Sequence, residues 1–166
     1  MADHHHLEAT PDTVHWGYWD ASIKPVLRIR SGDRVTVDAV SGGRADLPTC
    51  EEGVRASHMK IVEAGGRELG PHVLTGPIWI DGAAPGDTLE VRSIDISLAD
   101  TWGYNIIRAL GGTLPDEFPF TRRIHIALDR DTMTGRMPWG SDLPLSPFFG
   151  NFGMAPRAEY GRISSI

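Results

Sequence analysis

The sequence predicts an all-β fold, either a β-sandwich or a partly open barrel, with irregular loops and little helix. First, the 166 residues include 19 glycines and 12 prolines, a proportion typical of many turns between short strands. Second, apolar and polar residues alternate in several short runs, which is the period of a half-buried strand. Third, a helical pattern is present in only one segment of the first half, and that pattern is imperfect.

The first half of the chain is predicted to contain a tail, three strands and one helix. Residues 1–10 are expected to form a disordered, solvated tail, although its histidine triplet belongs to a type of tract that can bind metal adventitiously. Strands are predicted at Val14–Trp19, Pro25–Arg30 and Val35–Val40, and the helix at Glu51–Ala64. The Ser-Gly-Asp turn between the second and third strands predicts a hairpin.

The second half is predicted to continue with strands and turns. The apolar run Thr75–Ile80 indicates a buried strand, and the alternation in Thr88–Ser97 indicates a long one. Tyr104–Leu110 is predicted as one helical turn or an irregular loop, and Arg123–Asp129 as a strand. Residues 140–156 are rich in Pro, Gly and Phe, which predicts an irregular covering loop.

Composition limits the class of protein. The length suits a single β domain over residues 11–166. The net charge of −6 argues against nucleic acid or an anionic membrane surface as a partner, since both need a basic face. The sequence has no apolar run of membrane-spanning length and no signal-peptide pattern. The single cysteine, Cys50, excludes an intrachain disulfide and favours a reducing compartment, so a cytoplasmic location is expected.

Three stretches together carry a specific resemblance. They are HWGYWDASIKPVLRIRSGDRVTVDAVSG, GPHVLTGPIWIDGAAPGDTLEVRSIDI and PLSPFFGNFGMAPR. In this order and at these spacings, the chain resembles the acetamidase/formamidase family of amide hydrolases from about Leu7 to its last residue. The resemblance implies a β-sandwich-like core and cleavage of short amides to ammonia and a carboxylate. Because family members are roughly twice as long, the chain looks like the N-terminal half of such an enzyme.

His15 and Asp20 are candidate metal ligands. Amide hydrolysis needs a nucleophile at neutral pH, a polarised carbonyl and a proton for the leaving amine. A divalent metal, with zinc as the candidate, supplies the first two and takes His, Asp or Glu ligands. The two residues stand five apart, and Gly17 between them offers a bend that would bring them together. The alternative is a structural, buried His15; the HxGxWD-like stretch, a hallmark of the family that the chain resembles, favours the ligand role.

His72 and Asp95 are the candidate catalytic residues. Pro71 and the Thr-Gly-Pro turn leave His72 few conformations, as a metal ligand or general base requires. This context resembles that of the family, and the alternative is a structural turn histidine. Asp95, and with it Asp100, is predicted to contact a ligand or to orient a histidine. The alternative for both is a solvent-facing carboxylate.

Other chemistries have less support. His58 and His125 are interpreted as solvated or structural. No GxSxG elbow is present, and neither GxxxxGK[ST] nor GxGxxG occurs, so serine-hydrolase chemistry of that kind and nucleotide binding are unsupported. Cys50 stands beside Glu51 and Glu52, whose charges disfavour a thiolate nucleophile.

Two hypotheses follow. The first is a hydrolase of short linear amides, formamide or acetamide, that uses metal-activated water; hydrolysis of another small carbon–nitrogen substrate, such as an N-formyl compound, is a weaker variant. The second is a truncated, non-catalytic β domain, or one half of a two-chain amidase that pairs with a complementing C-terminal half. Self-association into a homo-oligomer would equally cover an exposed strand edge. The isolated chain is predicted to have little or no amidase activity.

Overall fold

The computed structural model describes residues 2–48, 53–66 and 69–166, and the fold in these residues is all-β and sandwich-like, as predicted. The strands are β1 (His4–Leu7), β2 (Val14–Trp16), β3 (Tyr18–Trp19), β4 (Leu27–Arg30), β5 (Arg34–Val37), β6 (Val73–Thr75), β7 (Ile78–Asp81), β8 (Trp102–Ile107), β9 (Arg122–Asp129), β10 (Thr134–Arg136), β11 (Asp142–Pro144) and β12 (Ile163–Ser164). One helix, α1 (Ala56–Ala64), and short 3-10 turns at Arg44–Asp46 and Ala158–Tyr160 complete the described elements. None of the described helices is long and apolar enough to cross a lipid bilayer.

The chain divides into two compact units. The first contains the described residues of 1–45, 56–92 and 149–166, and the second those of 46–55 and 93–148. The first unit is built from pairs of strands: β1 with β5 and β4 with β7 are parallel, whereas β2 with β6 and β12 with β3 are antiparallel. The second unit contains a four-stranded antiparallel sheet in the order β11-β10-β9-β8.

A small apolar core holds the first unit together. Ala9, Trp16, Val40 and Ile61 are buried against one another, with Val14 and Val73 packed on them. Ile61 is only 1% exposed and comes from α1, so the helix contributes the most buried apolar side chain of this cluster. Burial of such a side chain stabilises the fold by about 1.5–3 kcal/mol. The core therefore ties the helix to the strand pair β2–β6.

The helix prediction is confirmed for its C-terminal part. Alpha helix α1 begins at Ala56, and Glu51 and Glu52, with which the predicted helix began, lie outside the described residues. The Gly65-Gly66 pair follows the last helical residue, and both glycines have positive φ, at 72° and 111°. Because glycine adopts positive φ without steric cost, this pair ends the helix where the sequence predicts.

Two predicted strands are interrupted. Val14–Trp19 is split into β2 and β3 at Gly17, which has a φ of +79°. Thr75–Ile80 is split into β6 and β7 around Pro77, which has no N–H to continue a ladder. These breaks allow β2 to pair with β6 while β3 pairs with β12 and β7 pairs with β4.

The predicted disorder of the tail and the predicted hairpin are wrong. Residues 4–7 form β1, which pairs with β5 in register from His4↔Arg34 to Leu7↔Val37. Leu7 is only 5% exposed, and its burial together with the ladder offsets the entropy of ordering the tail. Strand β5 pairs with β1, and strand β4 pairs with β7. The two strands that flank Gly32 therefore pair with other strands and not with each other.

The predictions for Thr88–Ser97 and Tyr104–Leu110 are also wrong. Thr88–Ser97 forms no strand, and Val91 and Ile94 are 60% and 72% exposed. Alternation makes a strand only where another strand accepts its hydrogen bonds, and no described strand pairs with this segment. In contrast, Trp102–Ile107 forms β8 because β9 pairs with it along its whole length, and its aromatic and β-branched residues suit a sheet. The predicted strand Arg123–Asp129 is confirmed as β9.

Candidate active site

The strand pair β2–β6 sets the positions of the two central histidines. His15 faces Leu74 in the register, and the backbone N–H of Gly17 donates to the carbonyl oxygen of His72 at 2.9 Å, which extends the ladder by one step. His72 directly precedes β6, and Gly17 directly follows β2, so His15 and His72 lie near the same end of this strand pair.

His15 is a half-buried imidazole with an unsatisfied nitrogen. Within the described parts of the chain, its Nδ1 atom is buried and has no hydrogen-bond partner. Burial lowers the pKa of His15, while backbone groups of Tyr18 and Gly76 and the charge of Asp20 act in the opposite direction. The His15 ring lies 5.7 Å from the Tyr18 ring, centroid to centroid. Burial therefore favours the neutral form of His15, and one of its ring nitrogens has no described hydrogen-bond partner.

Asp20 is ionised and already engaged. Its Oδ1 atom accepts the backbone N–H of Ser22 at 2.7 Å, and its Oδ2 atom lies 3.4 Å from Nε of Arg162. Hydrogen bonds from Ser22, assisted by Arg162, lower the pKa of Asp20. The Arg162 guanidinium also lies 4.4 Å over the Tyr18 ring. Asp20 thus anchors the arginine beside the aromatic ring that contacts His15.

His72 contacts two polar side chains from the end of the chain. Its Nδ1 atom lies 2.9 Å from Nδ2 of Asn151 and 3.1 Å from Oγ of Ser165. Nδ2 of Asn151 also donates to the carbonyl oxygen of Ser165 at 2.8 Å. The backbone N–H of Ser165 donates to the carbonyl oxygen of Gly17 at 2.9 Å. His72, Asn151 and Ser165 are therefore held on one hydrogen-bonded frame around Gly17.

The C-terminal segment supplies residues that sequence reasoning missed. Strand β12 pairs with β3 in the register Ile163↔Trp19 and Ser164↔Tyr18, which places Ser165 beside His72 and Arg162 beside Asp20 and Tyr18. Asn151 and Ser165 are 79 and 93 positions from His72 in the chain, so no local pattern joins them. The one available signal is the polar Asn151 within GNFGMAP, part of the third stretch that carries the family resemblance.

The potential metal ligands that converge lie elsewhere in the first unit. Among the described residues, Asp3, His5 and Asp33 bring ligand atoms within 4.8 Å of one another, and this set includes neither His15, Asp20 nor His72. Nε2 of His5 lies 3.3 Å from Oδ2 of Asp33. Arg30 hydrogen-bonds to Asp3 and lies 3.9 Å from Asp33, so it already supplies positive charge to both carboxylates. The ligand roles predicted for His15, Asp20 and His72 stay predictions.

The remaining acidic candidates lie in the second unit. Asp95 is exposed, and its Oδ2 atom accepts the hydroxyl of Ser97 at 3.1 Å. Asp100 forms a two-fold ion pair with Arg55, at 2.8 Å from Nε to Oδ1 and 3.0 Å from Nη2 to Oδ2. The catalytic role of Asp95 stays a prediction, while the contact with Arg55 accounts structurally for Asp100.

The two weaker histidine candidates are inside the protein. His58 on α1 is fully buried, and its Nε2 atom lies 3.0 Å from the carbonyl oxygen of Gly42. His125 on β9 is half-buried, and within the described chain its Nε2 atom is buried without a hydrogen-bond partner. The contact of His58 gives it a structural role, as interpreted from the sequence.

Two surface depressions of about 400 and 460 Å³ do not involve the histidine pair. The first is lined in part by Leu128 and Thr134, and the second in part by Leu27 and Trp79. Neither lining includes His15 or His72. We therefore place the candidate site by the contacts of the two histidines.

Comparison with known proteins gives a consistent result. Residues 2–163 match the model of the acetamidase/formamidase family. A formamidase from Methylophilus methylotrophus is 30% identical over 108 residues, which cover 61% of this chain and 24% of the relative.

A solved structure shares the fold. It is the crystal structure of a recombinant predicted acetamidase/formamidase from the thermophile Thermoanaerobacter tengcongensis, with a TM-score of 0.76 and 21% sequence identity. The match covers 99% of this chain and 49% of that protein, so the chain spans about half the length of this structural relative.

Proposed function

The chain belongs to the acetamidase/formamidase family, and from this premise we propose that it carries a site for hydrolysis of the carbon–nitrogen bond of short linear amides. Formamide and acetamide are the substrates to test, because the relatives are named as a formamidase and a predicted acetamidase/formamidase. The products would be ammonia and the carboxylate. His15 and His72, near one end of the β2–β6 strand pair, are the central residues of the proposed site.

The observation that carries this proposal is the unsatisfied Nδ1 atom of His15. Buried polar atoms are nearly always hydrogen-bonded, and an exception needs an explanation such as a missing ligand or a catalytic role. The ring of Tyr18 lies against the His15 ring, and the charge of Asp20 raises the pKa of His15. A bound substrate, water or metal would satisfy this nitrogen.

The proposed metal fits these residues in part. When bound, a divalent metal such as zinc lowers the pKa of its water and polarises a carbonyl. A neutral imidazole with a free nitrogen, as in His15, is a suitable ligand. Asp20 fits less well, because Arg162 and the Ser22 N–H already compensate its charge. Of the three predicted ligands His15 fits best, and because a zinc site takes three or four protein ligands, it would need further ligands beside His15.

Ammonia release from formamide and acetamide by the purified chain tests the proposal and decides between it and the expectation, drawn from the sequence, of little or no activity in the isolated chain. His15→Ala and His72→Ala are expected to lower the rate by about 100-fold or more, as loss of a group that acts on the reacting atoms does. His4→Ala is the control, because His4 is an exposed histidine on β1 that hydrogen-bonds to Thr36. Equal rates in all three variants would place the chemistry elsewhere. No ammonia from the unmodified chain would reject hydrolysis by this chain and favour the non-catalytic domain.

Elemental analysis of the same dialysed samples tests the metal separately. Metal bound through His15 is expected to be lost in His15→Ala and kept in His5→Ala. The opposite result would assign the metal to the group of Asp3, His5 and Asp33.

A further inference from the structure

The amide of Asn151 has only one chemically sensible orientation. Its Nδ2 atom lies 2.8 Å from the carbonyl oxygen of Ser165. A carbonyl oxygen only accepts hydrogen bonds, so the atom that faces it must be the NH2 group and not the amide oxygen. The contact with Ser165 therefore fixes which end of the Asn151 amide points toward His72.

This orientation determines what Nδ1 of His72 does. The same NH2 group lies 2.9 Å from Nδ1 of His72. An amide NH2 group has two donors and no acceptor, so Nδ1 must be the acceptor in this contact and carries no proton. In a neutral imidazole the single proton is then on Nε2. The hydroxyl of Ser165, 3.1 Å from Nδ1, faces the same lone pair and acts as a second donor.

We infer that Asn151 is a positioning residue that holds neutral His72 in the tautomer with its proton on Nε2, so that His72 presents a hydrogen-bond donor to the substrate. Within the described chain, Nε2 of His72 makes no hydrogen bond and is therefore unoccupied by the protein's own polar groups. The catalytic part of this inference rests on the proposed function. There, the N–H at Nε2 would donate to the carbonyl oxygen of the amide, where negative charge develops during hydrolysis.

This inference changes the role predicted for His72. A metal ligand or a general base needs a lone pair at the nitrogen that meets the metal or the proton. The inferred tautomer places a proton on Nε2, and Asn151 and Ser165 occupy the lone pair of Nδ1. His72 is thereby assigned to polarisation of the carbonyl, and His15 is left as the histidine of the site with a buried ring nitrogen that has no described partner.

The backbone supports this arrangement. The carbonyl oxygen of His72 accepts from Gly17, and Gly17 in turn accepts from the N–H of Ser165. The backbones of His72 and Ser165 are thus both hydrogen-bonded to Gly17. A shift of the C-terminal segment would move both partners of Nδ1 together.

The tautomer can be observed directly by long-range 1H–15N correlation spectra of the full chain labelled at histidine. The spectra are recorded at pH about 8, above the ordinary histidine pKa, where neutral imidazole dominates. The spectrum of His72→Gln identifies the His72 signals. We expect the pattern of a proton on Nε2; a pattern with the proton on Nδ1 would overturn the inference whatever the activity.

Two variants separate orientation from structure. Asn151→Asp replaces the donor by a carboxylate that accepts, so the proton of His72 is expected to move to Nδ1. Ser165→Ala removes the hydroxyl but keeps the backbone carbonyl that orients Asn151, so the proton is expected to stay on Nε2. An unchanged pattern in Asn151→Asp, with the fold intact by circular dichroism, contradicts the inference.

Kinetics test the catalytic part. In Asn151→Asp, kcat for ammonia release is expected to fall about tenfold or more because the wrong tautomer is presented, and Ser165→Ala is expected to fall less. If the unmodified chain shows the expected tautomer but releases no ammonia, the proposed function fails and the assignment of Asn151 as the residue that sets the tautomer stands. If ammonia is released but His72 carries its proton on Nδ1, the proposed function stands and the assignment of Asn151 as the residue that sets the tautomer fails.

Discussion

Gly17 passes so close to Gly70 that a Cβ atom on Gly17 would lie 2.1 Å from the backbone nitrogen of Gly70. The φ of Gly17 is +79°, a conformation that side chains rarely allow. Gly17 also bonds to His72 through its N–H and to Ser165 through its carbonyl. The sequence HWGYW needs its glycine both to break the strand and to let two backbones meet beneath the candidate site.

Gly17→Ala is expected to destabilise the protein by about 3 kcal/mol or more, because strain at positive φ adds to a backbone collision. Urea unfolding measures the change. Gly32→Ala is the matched control: its φ is +89°, and a Cβ atom there would meet nothing within 4 Å. Only the conformational cost of about 1–2 kcal/mol applies at Gly32. Equal losses in the two variants would show that the contact with Gly70 is unimportant.

His58→Ala is expected to lower the free energy of unfolding by about 2–4 kcal/mol. The substitution leaves a cavity at a fully buried position and removes the hydrogen bond from His58 to the carbonyl oxygen of Gly42. Thermal or urea unfolding gives the measurement. Lys60→Ala, an exposed change on the same helix, is expected to cost less than about 0.5 kcal/mol. A His58→Ala protein as stable as the Lys60→Ala control would contradict the structural role of His58.

Two ion pairs of the second unit are expected to contribute differently to the free energy of unfolding. The pair of Asp100 with Arg55 has two short hydrogen bonds and side chains that are 18% and 26% exposed. Asp100→Ala leaves the arginine without this carboxylate and is expected to cost about 1–3 kcal/mol. The pair of Asp142 with Arg136 is 57% and 60% exposed, so Asp142→Ala is expected to cost less than about 1 kcal/mol. Urea unfolding of both variants measures the two losses of stability. A larger loss in Asp142→Ala than in Asp100→Ala would contradict this expectation.

Asp33 is expected to make stability depend on pH in the acid range. Backbone N–H groups of Arg30 and Asp3, assisted by His5 and the charge of Arg30, lower the pKa of Asp33 from 3.8 to about 2. Because the folded-state pKa is the lower one, this stabilisation is complete above pH about 4 and is lost as the pH falls toward 2.

The variant Asp33→Asn tests this expectation by urea unfolding at a series of pH values. It is expected to be less stable than the unmodified protein at pH 7, and the difference should shrink between pH about 4 and about 2. Asp116→Asn, a change in an exposed loop, controls for the loss of one negative charge. A stability difference that is constant with pH would mean that the ionised form of Asp33 is not preferred by the folded state.

Local patterns were sufficient where the physical cause was local. The end of helix α1 at Gly65-Gly66 follows from glycine conformation, and strand β9 follows from alternation with a partner strand present. The same kind of alternation failed at Thr88–Ser97, because pairing depends on another strand and not on the segment itself. The prediction of a disordered histidine tail was wrong for the opposite reason. The composition of the tail does not reveal that β5 pairs with it.

The sequence by itself determined the family and the all-β class, and it nominated two residues of the proposed site, His15 and His72, because these depend on residue types in short, ordered motifs. Only the tertiary structure decided which groups meet those histidines. Asn151 and Ser165 contact His72 across 79 and 93 positions of the chain, and Ser165 is placed there because β12 pairs with β3. The tautomer inferred for His72 likewise rests on the orientation of an amide 79 positions away, and no local pattern carries that information.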